Sequence, residues 1–151
     1  MDLIQLQRTL IEHQANLFRE GYLDDQFTQL QKLQDESSPD FVLEVVTMYF
    51  DDSENLLGNM ARALEQPIVD FKQVDSYVHQ YRGSSASVGA ARVKNVCANF
   101  RNFCESQNHE GCLKSLQNLR NEFSLLRTNL QYLFGLQREV QAAGGSIPTM
   151  D

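Results

Sequence analysis

An all-α fold of six helices is what this chain predicts, on three observations. Apolar residues recur at helical spacing along most of its length. Leu and Gln are plentiful while β-branched runs are short, which favours helix. Only three prolines interrupt the 151 residues. The last four helices, about 39–142, have the lengths and stripes of an antiparallel four-helix bundle. Two N-terminal helices, about 3–35, pack on one end or side of it, and a tail over 143–151 is loose. The chain reads as one domain, large enough to bury a core.

The first helix, about 3–20, carries Leu3, Leu6, Leu10, Leu17 and Phe18, and Gly21 breaks it. A second, about 23–35, repeats the pattern with Leu23, Phe27, Leu30 and Leu33. Ser37, Ser38 and Pro39 then mark a boundary, with Ser38 as N-cap and Pro39 at the first helical position. The third helix, about 39–65, has the stripe Val42, Val45, Val46, Tyr49, Leu56, Leu57, Met60 and Leu64, with Asp51, Asp52 and Glu54 on its wet side. Pro67 marks the next connection.

The fourth helix begins at Asp70, where Asp70 and Gln73 read as a variant capping box. Phe71, Val74, Val78 and Tyr81 share one face; Lys72, Asp75, Ser76, His79, Arg82 and Gly83 share the other, so His79 points at water. Ser84 to Gly89 is a mixed stretch, read as the helix end plus a turn. The fifth helix, about 89–107, turns Val93, Val96, Cys97, Phe100, Phe103 and Cys104 inward. The sixth, about 112–142, carries Leu113, Leu116, Phe123, Leu126, Leu130, Leu133 and Val140.

Several function classes are set aside by composition. A net charge of −7 argues against a nucleic-acid binder, which normally presents a basic face. No apolar run approaches the roughly 20 residues that span a bilayer. The start, MDLIQLQRTLIEHQ, has an early acid and no uninterrupted apolar core, unlike a signal peptide. Cys97, Cys104 and Cys112 are odd in number and lack metal spacing; they read as reduced, at least partly buried thiols. GSSASVGAARVK fails as a phosphate loop, because Gly89 is followed by Ala90 and Ala91 and no strand precedes it. His13 and His109 read as structural or surface residues.

His79 is the residue that carries chemistry. A neutral imidazole nitrogen is a nucleophile near pH 7, and an exposed ring lets a partner approach a phosphorus atom in line. Gly83 lies one turn on and clears space beside the ring, at a helix cost of about 1 kcal/mol against alanine. Arg82 on the adjacent row can pair with phosphoryl oxygens, offsetting the added charge of about −1.5 to −2. Each feature also has a plain reading: a surface histidine, a helix-ending glycine, a solvated arginine. The combination sets them apart. Gln80 and Ser84 flank the ring as candidates for orienting it or the phosphoryl group, and Lys94 and Arg101 on the next helix are candidates for added positive potential.

The stretch HQYRGSSASVGAARVK, 79–94, resembles the signature of the histidine-containing phosphotransfer proteins of plants, close to His-Gln-Leu-Lys-Gly-Ser-Ser-(Ser/Ala)-Ser-(Ile/Val)-Gly-Ala followed by Arg-Val-Lys. The likeness extends to GYLDDQFTQLQKLQDESSPDF at 21–41, to FDDSENL, to RNFCE at 101–105 and to AAGGSIP near the end. It implies six helices around a four-helix bundle. It implies that His79 accepts a phosphoryl group from a receiver-domain aspartate of a hybrid sensor kinase and passes it to an aspartate of a response regulator, in cytokinin-type signalling between cytoplasm and nucleus. The chain is then a carrier and a monomer, with no cofactor of its own; Mg²⁺ belongs to the partner's receiver domain. Two positions depart from the signature: Arg82 stands for the usual lysine and Tyr81 for the usual leucine. Arg keeps the charge but presents a planar fork. Some relatives have lost the histidine and act as inhibitors; His79 is present here.

Two other classes compete: a helical-bundle adaptor or inhibitor that holds receiver domains without being phosphorylated, and an enzyme using His79 as a general base. The docking surface expected for a carrier has an apolar centre and polar rim. Its candidates are the second helix around Leu23 and Phe27, which equally suit packing onto the bundle, and the solvent face of the fourth helix.

Overall fold

The structure is a computed structural model and describes residues 2–147. Its elements are α1 (Leu3–Arg19), α2 (Asp25–Leu33), α3 (Phe41–Leu64), α4 (Phe71–Val88), α5 (Ala91–Glu105) and α6 (His109–Ala142). Helices α3, α4, α5 and α6 close a ring in which each packs on the next and α3 meets α6. That is the expected four-helix bundle, with short connections reversing the chain. Helix α1 lies along α6, and α2 rests on α4 and α3.

Four of the six helices, α1, α2, α4 and α6, start at a residue whose side chain takes an orphan backbone N–H. Asp2 caps α1 in a full capping box with Gln5. Asp24 caps α2, accepting from the Gln26 N–H at 3.0 Å. Asp70 accepts from the Gln73 N–H at 3.2 Å, as the spacing predicts. The Gln73 side chain donates to the Tyr77 hydroxyl instead of returning to Asp70, so only half of the box forms. The start of α3 differs from expectation. Ser38 is not its N-cap, because Asp35 draws the N–H groups of Ser37 and Ser38 into a tight Asx turn at 2.9 and 3.0 Å. Helix α3 then begins at Phe41, and the Gln34 side-chain oxygen accepts the Val42 N–H at 3.1 Å.

The core follows the predicted stripes with two exceptions. Leu33 and Leu113 are exposed, at 62% and 44%. Leu23 and Phe27, candidates for a docking surface, are buried at 3% and 1% and belong to the core instead. Their burial comes from the way α2 is tied to the α4–α5 turn. Asp24 N–H donates to the Gly89 carbonyl at 3.0 Å, and Ala91 N–H to the Tyr22 carbonyl at 3.1 Å.

The tail expected to be loose from 143 lies against the bundle as far as Ile147. Gly145 N–H donates to the Val140 carbonyl at 3.0 Å, and Ile147 rests on the core. Its remainder, 148–151, lies outside the described residues.

Candidate functional site

Helix α4 presents the site. It runs unbroken to Val88, so the stretch from Ser84 is helix and not a turn. Two contacts hold the extra turn. The Ser85 and Tyr49 hydroxyls bond at 2.8 Å inside the core, and Gly89 caps the helix in the left-handed conformation at φ +77°. Gly83 therefore sits inside a continuous helix and does not end it.

Behind the site, Val74, Val78 and Tyr81 face the core and anchor α4 against α3 and α5. Tyr81 is fully buried, its ring stacked on Tyr49 with centroids 6.0 Å apart. Burial pushes both phenols up, that of Tyr49 to about 12. The Tyr81 hydroxyl makes no hydrogen bond among the described residues.

His79 is exposed, as its place in the helical pattern predicts. The other two histidines are tied to backbone: His13 Nε2 lies 2.9 Å from the Asn129 carbonyl, and His109 Nε2 lies 2.9 Å from the Leu64 carbonyl. Of the three, His79 alone has no ring contact to backbone among the described residues. A Cβ built on Gly83 meets no heavy atom within 4 Å, so the space beside the ring is open.

Around the ring the candidates divide. Arg82 is exposed and makes no ion pair among the described residues, which leaves its charge available to an incoming anion. Gln80 is exposed beside it and makes no hydrogen bond among them. Ser84 is not aimed at the ring; its hydroxyl donates to the Tyr81 carbonyl at 3.2 Å. Lys94 is drawn towards α2, with Nζ 3.7 Å from Asp24.

Arg101 does reach the site. From α5 its Nη1 comes to 3.1 Å from His79 Nδ1. Its Nε and Nη2 hold Asp75 Oδ1 and Oδ2 at 3.0 and 3.3 Å. That hydrogen-bonded pairing raises the guanidinium above its usual value. Asp75, four residues before His79 on the same face of α4, has no assigned part in the sequence reading. The i, i+4 spacing of Asp75 and His79 was the available signal, but only the packing of α4 on α5 brings Arg101 to both. Asp75, Arg82 and Arg101 also line one open groove between α4 and α5. Among the described residues no group of His, Cys, Asp and Glu is arranged to hold a metal ion. None of their helices is long and apolar enough to cross a membrane.

An exposed imidazole, open space beside it and two guanidinium groups within one groove suit a phosphoryl group arriving on a bulky carrier. Comparisons with known proteins point the same way. The Hpt domain family matches residues 44–129. The chain is 51% identical over 151 residues to histidine-containing phosphotransfer protein 1 of Arabidopsis thaliana, covering 100% of this chain and 98% of that one. It is 53% identical over 148 residues to histidine-containing phosphotransfer protein 5 of the same plant, covering 97% and 94%. The crystal structure of a histidine-containing phosphotransfer protein from Medicago truncatula matches with a TM-score of 0.89 at 67% identity, over 93% of this chain and 96% of that one. Likeness of this depth, spanning nearly the whole chain, makes it a member of the plant histidine-containing phosphotransfer family.

Proposed function

We propose that His79 is the residue on which this chain carries its phosphoryl group. It accepts the group from a receiver-domain aspartate of a hybrid sensor kinase and yields it to an aspartate of a response regulator, in a cytokinin-type relay. The observation that carries the reading is the exposed His79 ring beside the open space at Gly83. Nδ1 faces Arg101, so the nitrogen offered to a partner is Nε2. In acceptance the ring proton first passes by way of solvent from Nε2 to Nδ1; the Nε2–P bond then forms as the aspartyl O–P bond breaks, and the electron pair leaves on the carboxylate oxygen. The receiver brings the aspartate and its Mg²⁺; this chain brings the nucleophile, the Arg82 and Arg101 charges and the surface of α4. A carrier of this kind meets sensors at membranes and regulators in the nucleus, so we assign it to cytoplasm and nucleus, acting as a monomer.

The test is His79→Gln, which keeps a polar side chain at an exposed helical position and is expected to leave stability within about 0.5 kcal/mol of the parent. Incubated with a labelled phospho-receiver, the variant takes up no acid-labile, base-stable phosphate while the parent does. Label on the variant would move the function to another residue.

A further inference from the structure

We propose that Asp75 is a positioning residue for the resting ring and for the phosphorylated state: acting through Arg101, it fixes the His79 ring with Nδ1 as a hydrogen-bond acceptor. This rests on the reading of His79 as the phosphoryl-bearing residue. A guanidinium donates and never accepts. With Arg101 Nη1 at 3.1 Å, Nδ1 must supply a lone pair, and the neutral ring must carry its proton on Nε2. Asp75 makes the arrangement specific. Its two oxygens take Nε and Nη2, and the fixed geometry of the fork then leaves Nη1 aimed at the ring.

The consequence runs through both stages of the relay. Before transfer, Nε2 bears a proton and has no lone pair to offer. Attack requires Arg101 to withdraw, a proton to reach Nδ1 from solvent, and the Nε2 proton to leave to solvent. The ring then attacks through Nε2, the aspartyl O–P bond breaks, and the product is a phosphoryl-imidazolium. Loss of its Nδ1 proton to solvent lets Arg101 return to the same contact it made at rest. After transfer, a donor on Nδ1 opposes protonation there. Protonation at Nδ1 is what turns the ring into a good leaving group, so the pair prolongs the phosphorylated state until a partner displaces Arg101.

Electrostatics alone predicts the opposite sign for Asp75. An anion one turn from a phosphoryl group repels it, so a purely electrostatic Asp75 shortens the phosphoryl lifetime and its removal lengthens it. A positioning Asp75 lengthens the lifetime and its removal shortens it.

The experiment compares the parent with Asp75→Ala, Arg101→Ala and the isosteric Asp75→Asn. Imidazole ¹⁵N spectra of the unphosphorylated proteins read the tautomer directly. The parent is expected to show one neutral tautomer, protonated at Nε2; both alanine variants are expected to show a mixture with Nδ1–H populated. Each protein is then phosphorylated with phosphoramidate and the loss of phosphohistidine is followed. Loss is expected to speed up by about threefold in both alanine variants, the scale of a partly exposed charged contact, with Asp75→Asn between them and the parent. A parent ring protonated at Nδ1, or slower loss in Asp75→Ala, overturns the proposal. Because Asp75 and Arg101 are each about one-third exposed, the variants are expected to fold, and circular dichroism checks this. If phosphoramidate labels no His79 at all, the reading of His79 fails, and the ¹⁵N spectra still decide the tautomer.

Discussion

Gly83 lies one helical turn beyond His79, and a side chain built on it points into open space. The folded chain therefore has no internal need for glycine at this position. Its backbone is helical, and glycine inside a helix costs about 1 kcal/mol relative to alanine. Stability and transfer should part company here. Gly83→Ala is expected to raise stability by up to about 1 kcal/mol in a urea titration. Gly83→Gln should also be no less stable than the parent, yet fail to take phosphoryl from a receiver domain because the added side chain fills the approach to the ring. Full transfer by Gly83→Gln would show that the clearance is not used.

Arg82 makes no ion pair among the described residues, whereas Arg101 is held by Asp75 and Lys94 by Asp24. No ion pair among the described residues employs its charge, so Arg82→Ala should change stability by less than about 0.5 kcal/mol. Its phosphoryl lifetime, or its rate of transfer from a phospho-receiver, should fall several-fold. Arg82→Lys, which restores the lysine of the family signature, should recover most of the loss. Unchanged kinetics in Arg82→Ala would reduce the residue to a solvated charge.

Tyr81, where the signature has leucine, brings into the core a hydroxyl that makes no hydrogen bond among the described residues. An unsatisfied buried hydroxyl costs about 1–3 kcal/mol. Tyr81→Phe keeps the ring stacked on Tyr49 and removes that hydroxyl, so it should stabilise the bundle by about 1 kcal/mol. Tyr49→Phe should do the reverse, since it leaves Ser85 unpaired beneath the extra turn of α4. The two changes are near-identical in chemistry and opposite in sign, and thermal unfolding of both separates the effect of a satisfied hydroxyl from that of an orphan one.

The three cysteines are free and buried, and burial pushes all of their thiols up, Cys97 to about 12. Thiolate is the reactive form. At pH 8 a disulfide reagent should titrate no thiol on mixing with the native protein and all three after denaturation. Prompt reaction of one thiol in the native state would mean that its helix opens locally.

The polar face of α4 was legible from spacing alone, because a helix packed on one side must put a period near 3.6 into its sequence. His79, Arg82 and Gly83 fall where that period places them. The end of α4 was not legible. Ser84, Ser85 and Ser87 favour turns in isolation, and the buried Tyr49–Ser85 bond that keeps them helical joins residues far apart in sequence. The same limit hid the link from Arg101 to His79, since the register of α5 against α4 is set by packing and leaves no local trace. Leu33 and Leu113 show the converse: both keep the helical spacing of a buried stripe and yet are exposed, so spacing alone does not decide burial. Leu23 and Phe27 were ambiguous for a related reason, as apolar residues on a short helix suit a core or a docking surface equally until the backbone ties around Gly89 are known.

Those ties make Gly89 a position where one methyl group does damage twice, through the backbone and through crowding. It holds φ at +77°, a conformation that costs an L-residue roughly 1–2 kcal/mol. Unlike Gly83, it has no room: a Cβ would stand 2.5 Å from the Phe27 backbone nitrogen and 2.9 Å from Asp24 Oδ1. Neither neighbour is free to retreat, because Asp24 caps α2 and Phe27 is buried in the core. Gly89→Ala should therefore destabilise the protein by about 3 kcal/mol or more, strain and displaced packing together. The loss should concentrate at the junction of α2 with the α4–α5 turn, and hydrogen exchange would show faster exchange there at the Asp24 and Ala91 amides than in α6. Since α4 ends at this glycine, the variant tests whether the platform under His79 depends on α2: phosphoryl acceptance should fall along with protection at those amides. Loss of protection with transfer intact would mean that the Tyr49–Ser85 bond alone suffices to hold the site.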